Sequence, residues 1–222
     1  MIELLTWWFF LLNPSPQLGI LSVMSSLSRP SSPIGFLIDN TAKYEIGTGL
    51  KVSFAKIGFG VEGAGNLNLD AKIRIRNKNL IEFSITSVKS KEPYGFNFIS
   101  LGLGRFFNFK KRKFLSKIYL SYVSYYELYD RYTFTDIGIE TIYPFYLKKY
   151  FQPFIGAQFE YTRYGFPENI RKESLRGLIL KIITGINFKY KNFNLHPSII
   201  WGRGNLDISL TLSFLFTSSK QK

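Results

Sequence analysis

The chain has 222 residues, enough for one domain built on a closed sheet, and a formal net charge of +14. It has no cysteine and a single histidine, His196, which excludes a disulfide framework, a thiol nucleophile and any metal site built from a cysteine or histidine cluster. Phe 22 and Tyr 14 are high for a soluble domain and favour strands, while a mean hydropathy of +0.00 excludes a bundle of membrane helices.

Residues 1–40 read as a signal-like and linker segment. The run Leu4-Leu5-Thr6-Trp7-Trp8-Phe9-Phe10-Leu11-Leu12 resembles the apolar core of a secretory signal, although Glu3 stands where a positive charge is usual. It is about half the ~20 residues that a spanning helix needs. The stretch from Asn13 to Pro33 is rich in Ser and Pro and has no period.

From Tyr44 onward the sequence alternates apolar and polar residues, the signature of strands with one face buried. The first strand, near 44–62, changes phase at Lys56: Leu50, Val52 and Phe54 are even, whereas Ile57, Phe59 and Val61 are odd. A β-bulge there is the expectation. At 66–77, Leu67, Leu69, Ala71, Ile73 and Ile75 oppose Asn66, Asn68, Asp70, Lys72, Arg74 and Arg76. Strands follow at 80–89, 95–109, 114–128, 132–145, 150–163, 174–190 and 193–202. The segment 114–128 is aromatic on both faces and does not declare its orientation. The last strand is the clearest, with Leu206, Ile208, Leu210, Leu212, Phe214 and Phe216 on one face.

Ten strands at 41–217, with a short tail at 218–222, predict an all-β fold, a closed antiparallel transmembrane β-barrel, with eight strands as the alternative count. The connections 77–79, 110–113, 146–149 and 190–192 are short, and 164–173 is the longest on the other side. This places both termini on the short-turn side, the periplasmic one in outer-membrane barrels. Alternation alone does not separate such a barrel from a soluble lipid carrier, which turns the same apolar face inward. Gly and Ser on the polar faces, tyrosines near strand ends (Tyr125, Tyr126, Tyr129, Tyr132, Tyr143, Tyr146) and strands longer than the ~9–11 residues of a crossing favour the bacterial outer membrane.

On this reading Glu45, Lys51, Asp70, Lys72, Arg74, Glu82, Asp136, Glu140, Glu160, Lys181 and Lys189 face the lumen and interlock there. The basic surface suits an anionic partner. No nucleic-acid module pattern appears, so the expected partner is outer-membrane lipid or lipopolysaccharide, with no nucleic acid.

One group of residues suggests chemistry. His196 and Ser198 are two apart on one strand, so their side chains share a face about 6.6 Å apart. A base beside a serine hydroxyl is what ester hydrolysis needs, and a carboxylate behind the imidazole orients it. Asp207 is the nearest carboxylate on the next strand. With a tight turn at Arg203-Gly204 it faces Ile200 and is remote from His196; with a wider loop it faces His196 and a triad closes.

The segment from Tyr150 to Phe216 resembles the C-terminal part of lipid A 3-O-deacylases of the PagL type. The resemblance lies in QPFIGAQFEYT, in LILKIITGINFKY and in His196-Pro197-Ser198 followed by Asn205 and Asp207. It implies a lipid A ester hydrolase with Ser198 as nucleophile, His196 as base and Asp207 as orienting acid, working without metal or cofactor. Ile199 and Ile200 depart from the family's Asn-Ala, and Asp207 follows the serine sooner than the family's acid does. A non-enzymatic structural, adhesive or small-pore barrel is the alternative.

Overall fold

Tandem hairpins close on themselves in this chain. The computed structural model describes residues 35–38, 41–57, 60–76, 78–89, 95–109, 112–127, 130–145, 150–165, 174–202 and 205–217. A short helix, α1 (Gly35–Ile38), precedes β1 (Ala42–Ile57), β2 (Gly60–Ile75), β3 (Asn79–Lys89), β4 (Gly95–Phe109), β5 (Arg112–Glu127), β6 (Asp130–Pro144), β7 (Phe151–Gly165), β8 (Ser174–Tyr190), β9 (Phe193–Gly202) and β10 (Asn205–Thr217). Each strand pairs antiparallel with its sequence neighbours, and β1 pairs with β10, so the barrel has ten strands and no edge.

The period-two faces point as the sequence predicts. Glu45, Asp70, Lys72, Glu82, Asp136, Glu140, Glu160 and Lys181 are buried inside, while Leu67, Leu103, Ile118, Leu178 and Leu180 face outward and are more than half exposed. The outward apolar side chains come from all ten strands and form a continuous belt, far beyond the few hundred Å² that soluble monomers expose. A soluble carrier would carry this face inside, so that reading is excluded. A barrel with its apolar side outward and its charges inward is stable only in hydrocarbon. The chain is therefore a membrane-spanning β-barrel of the bacterial outer-membrane type. Aromatic pairs mark the belt's margins: Tyr132 stacks on Tyr164 at one end, and Phe107–Phe114, Phe151–Phe188 and Phe193–Phe214 meet at the end that holds the termini.

Two expectations need correction. The phase change near Lys56 is not a bulge. β1 ends at Ile57, β2 begins at Gly60, and Lys56 pairs with Val61. Paired positions in this hairpin sum to an odd number, so the outward set passes from even to odd with no extra residue. The register shift lies instead between Ala42 and Tyr44, where Lys43 and Tyr44 both face outward. The alternation of turn lengths is weaker than expected. The longest connection, 166–173, does lie opposite the termini, but that end also has the two-residue links 58–59, 128–129 and 203–204. The segment read as linker contains α1. The signal-like run at 1–12 lies outside the described residues.

Helix α1 touches β1, β5 and β8, strands spread around the ring, with Phe36 and Leu37 both buried. A four-residue helix can meet three such strands only from inside the barrel. Arg74 fixes it there. Its guanidinium donates to the Phe36 carbonyl and lies 4.7 Å from the Phe36 ring centre and 5.0 Å from that of Phe106. Phe36 and Phe106 meet edge to face at 6.4 Å, within an apolar cluster that includes Leu80, Leu115 and Ile183.

Glycines make room for the larger lumen side chains. Tyr119 on β5 is fully buried and crosses over Gly138 on β6, where a Cβ would sit 2.4 Å from the phenol ring. Gly138→Ala should therefore overpack the lumen and lower stability by about 1–3 kcal/mol. Urea unfolding in detergent, followed by tryptophan fluorescence, measures this. An unchanged midpoint would show that the phenol can move aside.

Candidate functional site

The final hairpin was the sequence's best site for chemistry, and its register decides what that hairpin can do. Asn205 pairs with Gly202, the register of the tight connection. Asp207 then pairs with Ile200, Ser198 with Ser209, and His196 with Thr211. All three predicted residues are buried on the lumen face. His196 and Ser198 share that face as their spacing requires. Asp207 stands four residues from the partner of His196, about 13 Å along β10.

Each hydroxyl and carboxylate has another neighbour. The Ser198 and Ser209 hydroxyls share a hydrogen bond of 2.6 Å, and the Asp207 carboxylate accepts one of 2.6 Å from Ser53 on β1. Neither ring nitrogen of His196 bonds to a described side chain or backbone group. Of the two registers open at the sequence level, the structure takes the tight one. It brings Ser198 and His196 onto one face and does not bring Asp207 to them. Leu195, Ile199 and Trp201 are among the β9 side chains that meet lipid.

Pro197 leaves a local mark. The β8–β9 ladder pairs Lys181–Gly185 with Gly202–Ser198 and resumes at Phe188 and Leu195. Pro197, which has no N–H, lies in the gap, while its pairing toward Leu210 on β10 is continuous. By the same register Asn187 comes level with His196, and Asn187 pairs with Gln152 on β7. These are neutral polar groups, all buried.

The strongest interactions lie elsewhere. The Lys117 ammonium on β5 bonds to Glu82 on β3 at 2.8 Å and lies 3.5 Å from Glu140 on β6. Lys181 on β8 lies 3.2 Å from Glu160 on β7, and Glu160 accepts a 2.6 Å hydrogen bond from the Tyr119 hydroxyl. Gln158 joins Tyr119 and Glu160. Ser213 donates to Glu45 at 2.6 Å, and Ser121 to Ser100 at 2.9 Å. The expected lumen network is therefore real, with Lys189 only half buried at its margin. Its centre includes two residues that sequence reasoning missed, Lys117 and Tyr119. Both lie in 114–128, where aromatics on both faces hide the period; the signal that could have found them is Lys117 itself, a charge between Leu115 and Tyr119 on the same face. Among the described residues no group of three or more His, Asp or Glu is placed to hold a metal ion.

No family model and no curated protein matches the chain. Solved structures similar to it include Neisserial surface protein A, at 12% identity and a TM-score of 0.41 over 78% of this chain and 97% of that one. They also include the transport unit of the autotransporter AIDA-I from Escherichia coli, at 14% and 0.47 over 93% and 100%, and the beta domain of the Bordetella autotransporter BrkA, at 10% and 0.45 over 79% and 100%. Likeness at this level carries no functional argument.

Removing Lys117 takes from Glu82 and Glu140 the cation they share inside the barrel. Lys117→Met should cost about 3–5 kcal/mol. Replacing all three with apolar residues of similar volume should recover most of it. Heat-modifiable gel migration and urea midpoints of the two variants check both directions.

Proposed function

We propose that this chain is a sealed outer-membrane barrel with a structural, lipid-embedded role, and that it does not conduct. The observation that carries this is the complete burial of charge along the lumen. Glu82, Lys117, Glu140, Glu160 and Lys181 line the interior, and their side chains are out of reach of a water-sized sphere. An open water path past them would leave them wet. The seat of α1 under Arg74 supports the same reading at the end that holds the termini. Its expected partner is the lipid around it: among the described buried residues five cations face seven carboxylates, so the +14 of the sequence is carried outside this lining, where anionic lipid is the natural counterpart.

Lipid A ester hydrolysis is the second reading. It is supported by the resemblance of residues 150–216 and by the shared face of His196 and Ser198. Against it stand the position of Asp207, the Ser198–Ser209 hydrogen bond and a lumen location that an acyl chain in the leaflet does not reach.

Two measurements separate these readings. In planar bilayers the purified barrel should give no steady single-channel openings; regular openings of nanosiemens size would remove the sealed-barrel proposal. Lipid A from cells expressing wild type and Ser198→Ala should carry the same number of acyl chains. A chain lost only with wild type would establish the hydrolase.

A further inference from the structure

We propose that the outer wall of β2–β5, at the end that holds the termini, is a binding groove for an anionic glycerophospholipid, with Arg105 as the phosphate ligand. This inference rests on the chain being a membrane barrel and is independent of whether the lumen is sealed.

The argument starts from three rows of outward side chains. In the first, the apolar residues Ile81, Leu103, Ile118 and Ile139 lie level on β3 to β6; Ile81 is half-buried and the other three are exposed. Two residues nearer the strand ends, about 6.6 Å away, comes a polar row of Asn79, Arg105, Ser116 and Thr141. A further two residues on, Phe107 stacks on Phe114 at 5.1 Å, and Tyr143 continues that row on β6 by the same register. Aromatic rows of this kind mark the headgroup level. Arg105 is therefore on the lipid side of the aromatic margin, where an unneutralised charge is costly.

No described residue neutralises it. The Arg105 guanidinium lies 5.9 Å from the Phe107 ring centre and, among the described residues, makes no hydrogen bond or ion pair. An open groove of about 500 Å³ surrounds it, with no acidic side chain in its lining. Ile75, Ile81, Leu103, Phe107 and Ile118 form its apolar walls. Asn79 and Ser116 flank the guanidinium, and the Ser116 hydroxyl accepts from Thr141 at 3.2 Å, leaving its own proton to donate. Exposed Arg76 and Lys78 stand in the turn beside β3.

This arrangement fits one kind of ligand. A guanidinium offers two parallel donors to two phosphate oxygens, an amide and a hydroxyl supply further donors, and the apolar walls take the upper part of an acyl chain. Uncharged lipid would leave the site positive. The groove shares its end with the termini, the side that faces the phospholipid leaflet in outer-membrane barrels, so the source of the phosphate is a glycerophospholipid and not lipid A.

The test uses the full chain purified in an uncharged detergent, titrated with dimyristoyl phosphatidylglycerol or dimyristoyl phosphatidylcholine and read by native mass spectrometry. Wild type should retain phosphatidylglycerol about tenfold better. Arg105→Gln should lose that preference, Arg105→Lys should keep part of it, and Arg163→Gln, an outward arginine near the opposite end, should keep all of it. Heat-modifiable migration verifies the fold of each variant; if Arg105→Gln fails that check, Asn79→Leu with Ser116→Val should show the same loss. The proposal is overturned by equal retention of both lipids, by an unchanged preference in Arg105→Gln, by lipid A displacing phosphatidylglycerol from wild type, or by a dimer that Arg105→Gln disperses, which would assign the groove to a second copy.

Discussion

Hydrocarbon offers no partner to a backbone N–H or C=O, so every such group in the belt must find one within the protein. The β1–β10 pairing meets that demand for the two strands that would otherwise be edges. The other features follow from this closure. Side chains divide strictly between a lipid-facing set and a lumen set, and the lumen set must fill a cylinder from which no polar group can turn away. The lumen is filled by long side chains laid over small ones: Tyr119 over Gly138, Glu82 against Gly102, Phe154 over Gly185.

A lumen built this way has to neutralise itself. Lys117 meets carboxylates from β3 and β6, Lys181 meets one from β7, and serines donate to one oxygen each of Glu45 and Asp207. Pairs of this kind add little net stability compared with apolar residues of the same size, because each ion loses its hydration. They do penalise any register in which the partners fail to meet. A one-residue slip of a single strand would place charges against lipid and isoleucines against charges, so the network selects one strand register from many of similar backbone energy.

Much of this was legible in the sequence, because period two is a property of the strand itself. The faces of β2, β4, β7 and β10 and the lumen position of His196 and Ser198 follow from residue parity alone. What parity leaves open is where chains turn and how deep a residue lies. The phase change near Lys56 suits a bulge and a turn equally, and β1 gives way to β2 between Ile57 and Gly60. Asp207 hung on the length of one connection. Lys117 was hidden because both faces of β5 are aromatic. Helix α1 is too short to have a period, and its place depends on Arg74, some forty residues away. Arg105 is visibly outward in the sequence, yet only the register against Asn79, Ser116 and the Phe107–Phe114 pair sets its depth.

The proline in β9 has a consequence for how the barrel comes apart. In a closed sheet no strand has a free side, so Pro197 necessarily removes a cross-strand bond from a ladder, and the break lies between β8 and β9. That seam has Gly185 on one wall and the neutral groups of Asn187 and His196 beside it, with none of the ion pairs that tie β3, β5 and β6 or β7 and β8. Amide protons along it exchange through the smallest local opening, so the cooperative unit formed by β3–β8 outlasts the β9–β10 hairpin as the barrel loosens.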